Sequence, residues 1–545
     1  MSAKERGYAD LHDHLERLRA RGLLVEVDRP VDKDAEMHPL VRWQYVGGIE
    51  EHERKAFLFT NVVNAKGRKY AFPVVVGAYA GNREIYGVGM EAPLDEVQQR
   101  WDRAIANPIP PVTVESAPCQ EVVLTGDQLQ GEGRGLDLLP IPVSTPGFDG
   151  APTLTATNVV TKDPDTGIHN HGTYRAGLKA PDRMVVRMAT RVGGAGGYRH
   201  YQKHQKRGDK TMPVAIVLGA PPCAAFVAPM KLPIDLDEMG VAGGVAGAPI
   251  RVVRAKTVDL MVPADAEIVI EGLIDTESVE PEGPFGESHG HVALEQFNMP
   301  MRVTAITHRK NAIVASYISQ VTPSESSAIK RVSYEPMFLS HLRNTLGIKG
   351  VKRVTLHERM TALRRMAIVT VEQGTPKSEV WRALYGVTAF KADCGKICIA
   401  VNDDIDPDNS DALFWAMAFR MSPVEDIQIL KHRSGGHGPE REHETDQEDS
   451  TLLIDATAKE ILPPFALPKR EYMERSRKLW EEIGLPKLRP QSPWFGTASG
   501  DWLPVWDAGG KRAAEGDYLE NGRISAKAAR KGLKPESSYR PDRED

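Results

Sequence analysis

Apolar residues recur at helical spacing near the start of the chain and then give way to short strand-like runs. Leu11, Leu15 and Leu18 share one helical face, which predicts a helix over residues 8–21 that ends at a glycine. Further apolar runs predict strands at residues 23–27, 57–59 and 74–76. This alternation of helices and strands predicts an N-terminal α/β lobe over residues 1–115.

Beyond residue 116 the pattern changes to short β-branched runs separated by Gly, Pro and Asp. Helical periodicity is scarce there, and residues 233–248, rich in Gly and Ala, are the one predicted helix. Strands at this spacing are typical of an antiparallel sheet or barrel, so we expect residues 116–322 to form a β domain. The predicted strands are 120–124, 154–160, 184–188, 214–218, 250–253, 268–270 and 301–306.

Helical and strand patterns alternate again after residue 323. Residues 366–371 and 397–401 predict strands, whereas residues 377–384 and 412–419 predict helices. The sequence therefore predicts a C-terminal α/β domain over residues 323–465.

Two segments near the C-terminus have a different composition. Residues 434–450 are rich in Gly, Glu and Asp and predict a mobile loop. Residues 466–545 carry tryptophans among prolines and glycines, so we expect an extended tail that covers another surface, such as a second subunit. The polar end of this tail, residues 520–545, is expected to be poorly ordered.

Composition narrows the class of protein. The 545 residues are 41% hydrophobic and 26% charged, as in an ordinary soluble globular protein, and the net charge of −5 gives no reason to expect nucleic acid or a membrane as partner. No run of about 18 apolar residues occurs. The four scattered cysteines favour a reducing compartment, so we expect a cytoplasmic protein.

The clearest candidate chemistry lies in the loop 280–287, with the sequence Glu-Pro-Glu-Gly-Pro-Phe-Gly-Glu. Gly283 and Gly286 can adopt positive φ and Pro284 fixes its own φ, which predicts a rigid, turning loop. Carboxylates held this close together raise the pKa of at least one of them and leave a proton available near neutrality. The loop therefore suits general acid–base catalysis, although an acidic surface turn has the same sequence pattern.

Two His-x-His pairs are candidate metal ligands. His169 and His171 share one face of a predicted strand, and His289 and His291 follow the acidic loop. This spacing occurs in metal sites, but hydrogen-bonded or solvated histidines show it as well. The pairs support one alternative function, a zinc-dependent hydrolase that uses the four histidines with Glu287 as general base.

Several separated motifs resemble the UbiD family of reversible decarboxylases. They are Asn170-x-Gly172-x-x-Arg175, Glu238 in Leu-Asp-Glu-x-x-x-Ala-Gly, and Glu282-Gly-Pro-Phe-Gly-Glu287. Residues 137–142, 161–167, 262–272 and 403–406 also look like family segments in family order. The resemblance covers roughly residues 10–465.

The resemblance implies an α/β (α+β) fold with a central split β-barrel domain that binds prenylated FMN, followed by an α/β domain that makes subunit contacts. A separate flavin prenyltransferase would supply the cofactor, and the protein would form a homodimer or homohexamer. By residue match, Arg175, Glu282 and Glu287 would be catalytic. The residues expected to bind the cofactor are Asn170, Gly172, Tyr174, Arg175, Met230, Glu238 and Lys396.

The resemblance also implies two metal ions. Asn170 and Glu238 would bind Mn²⁺, Mg²⁺ or Fe²⁺ that clamps the cofactor phosphate, with His200 as third ligand and His204 as the alternative. A potassium ion would lie near Arg420, with backbone carbonyl ligands around Ala228 and Met230.

The implied reaction also has a physical basis. Loss of CO₂ from an sp² carbon leaves an electron pair in the ring plane, where no side chain can accept it, so a cofactor is required. The family does this through a covalent bond between substrate and prenylated FMN, and Glu282 would then donate a proton to the same carbon. Arg175 would pair with one carboxylate, and Glu287 would tune both groups.

The expected substrate is an aromatic, heteroaromatic or α,β-unsaturated acid, with aryl-CoA thioesters among the larger candidates. Two departures from the family pattern, at His291 and at residues 319–325, affect the region expected to shape the substrate pocket. A flavin-binding barrel that acts as a carrier or reductase is the other alternative.

Overall fold

The computed structural model describes residues 2–188, 195–230, 232, 236–293, 296–358, 364–391, 394–434, 448–460, 464–497, 502–529, 534 and 540–541. It has a mixed α/β architecture with several sheets, as the sequence predicts. Among the described residues, we find no helix with the length and apolar character needed to span a membrane.

The N-terminal lobe forms around a four-stranded sheet in the order β1-β3-β5-β21. Its last strand comes from much later in the chain and pairs with β5 in parallel. The elements up to residue 115 are α1 (Ala3–Arg6), α2 (Leu11–Ala20), β1 (Leu24–Val27), β2 (Val31–Asp32), α3 (Met37–Val46), β3 (Ala56–Phe59), β4 (Val62–Val63), β5 (Val74–Val76), α4 (Arg83–Met90), α5 (Val97–Ala106) and β6 (Val112–Thr113).

The described residues in the middle of the chain form an antiparallel sheet of ten strands, as the sequence predicts. The main path runs β10-β9-β13-β16-β20-β12-β11-β8, and β7 and β17 pair with β20. The elements are β7 (Val122–Thr125), β8 (Thr153–Leu154), β9 (Thr157–Lys162), β10 (His169–Gly172), β11 (Arg175–Ala180), β12 (Arg183–Arg187), α6 (Gly196–Arg207), β13 (Thr211–Leu218), α7 (Pro222–Val227), α8 (Glu238–Ala246), β14 (Arg251–Arg254), β15 (Met261–Pro263), β16 (Ile268–Asp275), β17 (Glu280–Pro281), β18 (Phe285–Gly286), β19 (Val292–Ala293), β20 (Phe297–His308) and β21 (Val314–Ser316).

Both faces of this sheet are buried, which explains the continuous apolar runs in its central strands. Along β13, Val214, Ile216 and Leu218 face one hydrophobic core, whereas Ala215 and Val217 face another. Successive side chains of a strand point to opposite faces, so one run of apolar residues supplies two cores.

The C-terminal domain has a five-stranded sheet in the order β22-β23-β24-β26-β25. The three central strands run parallel, with a separate core on each face. The elements are α9 (Glu325–Ser340), a π-helical turn (His341–Thr345), β22 (Val351–Leu356), β23 (Met366–Val371), α10 (Lys377–Phe390), β24 (Ile397–Asn402), α11 (Ser410–Arg420), α12 (Pro423–Asp426), β25 (Ile427–Ser434) and β26 (Glu448–Asp455).

The described part of the tail contains three helices, α13 (Arg470–Glu482), α14 (Pro504–Ala514) and α15 (Tyr518–Lys527). The tail contacts the N-terminal lobe, where Arg489 pairs with Glu53 at 2.9 Å, and the C-terminal domain, where the Asn409 side chain donates to the Ser492 carbonyl at 3.2 Å. The tail therefore bridges two parts of the same chain.

Most predicted elements are present, and one prediction about the helices was wrong. The helix predicted over 233–248 is α8, and residues 233–235 lie outside the described residues. It is not the one helix of the β domain, because α6 and α7 also interrupt the strands, so that prediction was wrong. The spacing of apolar residues did not indicate α6, because most side chains of this helix are polar. Few of its residues, such as the buried Tyr201, pack inwards.

Two segments predicted to lack order contain described elements of secondary structure. Residues 448–450 of the predicted mobile loop begin β26, and residues 435–447 lie outside the described residues. The polar end of the tail contains α15, where the sequence indicated poor order.

Candidate active site

Arg175 and Glu282 form the centre of the candidate active site. Arg175 begins β11, and its guanidinium donates from Nε to Oε1 of Glu282 at 2.5 Å and from Nη2 to Oε2 at 2.9 Å. Only 5% of the Glu282 side chain is exposed. Burial disfavours the Arg175 cation, but hydrogen bonds to Glu282 and the nearby negative charges raise its pKa above the ordinary value.

A second arginine completes the charge balance. Arg187 on β12 lies directly opposite Arg175 on β11, so the two cations share one face of the sheet. Like charges in this position repel, and Glu287 offsets the repulsion because its Oε1 accepts from Arg175 and, at 3.1 Å, from Arg187. Two carboxylates and two guanidinium groups therefore form one largely buried network.

Glu282 has additional partners. The strand β17 pairs with β20, and this pairing brings the buried Asn298 side chain to within 3.1 Å of Glu282 Oε2, to which it donates. Lys179, on the same face of β11 as Arg175, donates to the Glu282 carbonyl at 3.0 Å. Side chains from β20 and β11 therefore both hold Glu282, one at its carboxylate and the other at its backbone carbonyl group.

The two glycines of the acidic loop have different roles. Gly283 has φ +101°, a conformation that side chains strongly disfavour. Gly286 allows a close approach instead, because a Cβ there would lie 2.4 Å from Thr145 Oγ1. Its amide donates to Asp149 at 3.0 Å, and burial raises the pKa of the Asp149 carboxyl group above the ordinary value.

Glu280, the third acidic residue of the loop, lies outside this network. It pairs with Arg183, and both side chains are partly exposed. The close approach of three carboxylates expected from the sequence is therefore a cluster of two, neutralised by arginine.

Asn170 on β10 and Glu238 at the start of α8 form a second cluster. Asn170 Nδ2 donates to Glu238 Oε1 at 2.6 Å, and the Tyr174 hydroxyl donates to Asn170 Oδ1 at 3.2 Å. Burial raises the pKa of Glu238 to about 7, despite its hydrogen bonds and its place at the start of α8. A buried carboxylate with an amide oxygen close by is a suitable site for a hard divalent cation.

Glycines make room for the second cluster. At Gly172 a Cβ would lie 2.2 Å from the Tyr174 ring, and at Gly196 a Cβ would lie 2.5 Å from the Asn170 side chain. A larger side chain at either position would displace a residue of the cluster.

His200 lies beside this cluster on α6. Its Nδ1 is 2.8 Å from Thr161 Oγ1, and Thr161 is paired with Asn170 across β9 and β10. Burial lowers the pKa of His200 to about 4, so the ring is neutral at physiological pH, as a metal ligand must be. His204, one turn further along the helix, instead contacts Asp209 at 2.8 Å.

The structure does not assemble the four histidines proposed for zinc. His171 is buried, with a pKa lowered by burial to about 3, and His169 Nε2 accepts from the Met261 amide at 3.2 Å. His289 and His291 lie in a turn, with tilted rings whose centroids are 6.1 Å apart. Among the residues described, no group of three or more His, Cys, Asp or Glu side chains is placed to hold a metal ion.

The remaining predicted ligands have partners elsewhere. Lys396, on the edge of β24, pairs with Asp449 in the C-terminal sheet. Arg420 binds Asp404 through two hydrogen bonds, of 2.9 and 2.5 Å. Met230 lies in the turn after α7, where its amide donates to Val227 at 2.9 Å, and the nearby Ala228 carbonyl accepts from Thr173. Their roles in cofactor or potassium binding stay predictions.

Sequence reasoning missed Arg187, Asn298 and Lys179. Arg187 lies on a predicted strand and Asn298 shortly before one, but a strand pattern does not tell which residues of distant strands are paired. The strand that carries Lys179, β11, was not among the predicted strands.

Most of the chain matches protein-family models. Three models of 3-octaprenyl-4-hydroxybenzoate carboxy-lyase match in order: the N-terminal domain over residues 15–104, the Rift-related domain over 111–321 and the C-terminal domain over 329–456. An uncharacterized protein of Synechocystis sp., sll0936, is 30% identical over 448 residues, covering 77% of this chain and 84% of its own.

Solved structures show the same fold. HmfF of Pelotomaculum thermopropionicum, a UbiD-class enzyme in complex with FMN, is 26% identical, with a TM-score of 0.72 over 83% of this chain and 94% of its own. Vanillic acid decarboxylase of Sedimentibacter hydroxybenzoicus is 23% identical, with a TM-score of 0.71 over 87% and 99% of the two chains. From the three domain models, the relative and the shared architecture, we conclude that the chain belongs to the UbiD family of carboxy-lyases.

Proposed function

We propose that this protein is a reversible, non-oxidative decarboxylase of an aromatic, heteroaromatic or α,β-unsaturated carboxylic acid that depends on prenylated FMN. The observation that carries the proposal is the convergence of Arg175, Glu282 and Glu287, which are distant in sequence but form one buried hydrogen-bonded network. HmfF has been solved in complex with FMN and, as an evolved dimeric form, with prFMN, which supports a flavin as the cofactor.

The residues present fit a phosphate-bound divalent cation. Glu238 is a buried carboxylate beside the Asn170 amide, and His200 offers a neutral imidazole close by. Oxygen and imidazole ligands suit Mn²⁺, Mg²⁺ or Fe²⁺. In this proposal Asn170, Glu238 and His200 hold the cation, and Gly172 and Tyr174 shape the cofactor site.

More distant residues complete the proposed cofactor site. Lys396 would bind the flavin phosphate and Met230 would contact the cofactor. Arg420 and the carbonyl groups around Ala228 and Met230 would help to hold a potassium ion.

Bound prenylated FMN would supply the electron sink that the reaction needs, since no side chain can accept the electron pair left on the carbon when CO₂ departs. A proton from the Glu282 carboxyl group then forms the new C–H bond on the same carbon. In the reverse direction, Glu282 accepts that proton.

The hydrogen bonds around Glu282 suit this role. Once Glu282 has given up its proton, Arg175 and Asn298 donate three hydrogen bonds to its two oxygens, which stabilises the carboxylate product of proton transfer. Glu287 holds part of the Arg175 charge, so the strength of the Arg175–Glu282 pair depends on it.

The domains follow the expected boundaries in this proposal, with residues 116–322 binding the flavin and residues 323–465 making subunit contacts in a homodimer or homohexamer. The tail, residues 466–545, contributes to an interface. Its exposed apolar residues, such as Leu479 and Ile483 on α13, support that role. Size-exclusion chromatography of a chain ended at residue 465 tests it, since an unchanged oligomer would contradict the assignment.

The decisive test is co-expression with a flavin prenyltransferase. We expect a new near-ultraviolet and visible absorbance, and CO₂ release from a panel of free aryl, heteroaryl and alkenyl acids and of aryl-CoA thioesters. Deuterium incorporation from heavy water would show that the proton replaces the carboxyl group. Zinc-dependent activity without flavin, or bound flavin without CO₂ exchange, would contradict the proposal.

A further inference from the structure

One residue beside the active site has an unfavourable backbone conformation. Val321 has φ +46°, in the left-handed region that β-branched residues rarely adopt. Its amide donates to the Glu287 carbonyl at 3.1 Å. A disfavoured backbone conformation persists only where surrounding contacts hold it, so the contacts on the other side of Val321 are informative.

Those contacts come from the N-terminal lobe. Arg42 on α3 donates from Nη1 to the carbonyl groups of Gln320 and, at 3.1 Å, Val321, and from Nη2 to Gln320 Oε1 at 3.1 Å. Gln320 is 2% exposed, and its Cγ lies close to Gly286, next to Glu287. The Arg42 guanidinium therefore holds the Gln320–Val321 turn through hydrogen bonds to three acceptor oxygens.

The chemistry of Arg42 differs from that of an ordinary salt bridge. Its three acceptors here are neutral oxygens, and burial lowers its pKa to about 10, so the group is still a cation at neutral pH. A planar guanidinium can bind two adjacent carbonyl groups and an amide oxygen at once, which a single ammonium group cannot match.

We propose that Arg42 is a positioning residue for Glu287: it holds the Gln320–Val321 turn, and the turn holds the backbone of Glu287 at the distance that its carboxylate needs to bind Arg175. This inference rests on the catalytic role proposed above for Arg175, Glu282 and Glu287. It goes beyond that role because Arg42 acts from another part of the fold and through main-chain hydrogen bonds.

The test compares Arg42→Met with a matched control, Arg68→Met. Arg68 also belongs to the N-terminal lobe and also reaches the middle of the chain, where Nη2 donates to the Asp137 carbonyl at 2.9 Å, but it holds a different segment. Hydrogen–deuterium exchange of the apoproteins should show faster exchange at the Val321 and Glu287 amides in Arg42→Met and not in Arg68→Met. Unchanged exchange at both amides would overturn the inference.

Kinetics of the cofactor-loaded enzymes separate positioning from general stability. We expect Arg42→Met to lower kcat by about 10- to 100-fold, the scale of a misplaced catalytic group, with KM and flavin content within about twofold of the parent. Arg42→Lys should recover part of kcat. Equal losses of flavin content and melting temperature in the two methionine variants, with kcat per bound flavin unchanged, would overturn the inference.

A double variant tests the physical reason directly. Val321→Gly allows φ +46° without strain, so the turn should depend less on the guanidinium. Arg42→Met should therefore reduce kcat less in the Val321→Gly background than in the parent, and an equal reduction would contradict the role of the turn. Should the parent enzyme release no CO₂, the proposed function fails, and the exchange measurement still decides on Arg42.

Discussion

Arg175 holds Glu282 by two parallel hydrogen bonds, with its Nε and Nη2 atoms facing the two carboxylate oxygens at 2.5 and 2.9 Å. The guanidinium also lies over the Phe285 ring, 4.4 Å from its centroid. Bidentate pairing fixes the plane of the carboxylate as well as its distance. A group that must deliver a proton to one carbon benefits from that fixed orientation.

Glu282→Gln should abolish turnover and leave the cofactor bound. The amide keeps the shape of the side chain but cannot donate an acidic proton, so we expect kcat to fall by about 10²- to 10⁴-fold or more. Flavin content should stay near the parent value, because Glu282 is not among the residues assigned to the phosphate and metal. Glu280→Gln, in the same loop, should keep its activity; full activity of Glu282→Gln would remove Glu282 from its role.

Arg187→Met should lower kcat although Arg187 belongs to no motif. Without Arg187, Glu287 keeps its hydrogen bond to Arg175 but loses the one from Arg187. The position of Glu287 in the network is then less well fixed, so we expect kcat to fall by about 10- to 100-fold. Arg183→Met on the same strand is the control, since Arg183 pairs with Glu280 near the surface. Steady-state kinetics, with kcat expressed per bound flavin, measure the effect. Equal kcat values in Arg187→Met and Arg183→Met would count against the role of Arg187.

Glu238→Ala should lower both metal and flavin content. This variant lacks one proposed carboxylate ligand of the cation. Loss of a metal ligand, or of a residue that orients a ligand, lowers metal affinity about 10- to 100-fold or more. Asp237→Asn changes the neighbouring charge but keeps an oxygen that can cap α8, as Asp237 does through the Met239 amide. Metal analysis and flavin absorbance measure the outcome, and unchanged flavin occupancy in Glu238→Ala would contradict the proposed clamp.

Glu325 should make stability depend on pH. This fully buried carboxyl group accepts from the amides of Gly77, Tyr79 and Ala80, and burial raises its pKa to about 7 in the folded protein. The raised pKa means that the folded state binds the proton more tightly than the unfolded state. Its contribution to stability is therefore complete below about pH 4.5 and is lost as the pH rises through about 7.

Glu325→Gln removes that dependence. We expect a less stable protein at low pH, by about 1–3 kcal/mol, because an amide cannot accept from all three backbone donors. The decline in stability between pH 5 and 8 should also become shallower than in the parent. Urea unfolding at several pH values measures both effects, with the exposed Glu115→Gln as control. An identical pH profile in Glu325→Gln would show that another group is responsible.

The position of residues 314–321 shows what sequence patterns leave open. The run that forms β21 has the composition of a strand, but it joins the sheet of the N-terminal lobe, parallel to β5. That pairing places the following turn between Arg42 and Glu287. Strand composition reports burial and alternation and says nothing about which distant strand supplies the partner.

Local sequence determined much of this protein. The spacing of apolar residues was sufficient for most strands and for α2, α10 and α11, because periodicity reports directly which side chains are buried. The motifs around Arg175, Glu238 and Glu282 identified the family, because one reaction requires particular chemical groups at particular places along the chain.

Tertiary structure alone decided which groups meet. Arg187 and Asn298 reach the glutamates because two pairs of strands align in one register. Arg42 reaches the turn at Val321 because α3 of the N-terminal lobe lies next to that turn. Hydrogen bonds between residues a hundred or more positions apart depend on the folded backbone geometry. A linear pattern of residue types carries that geometry only indirectly, through the packing of the whole chain.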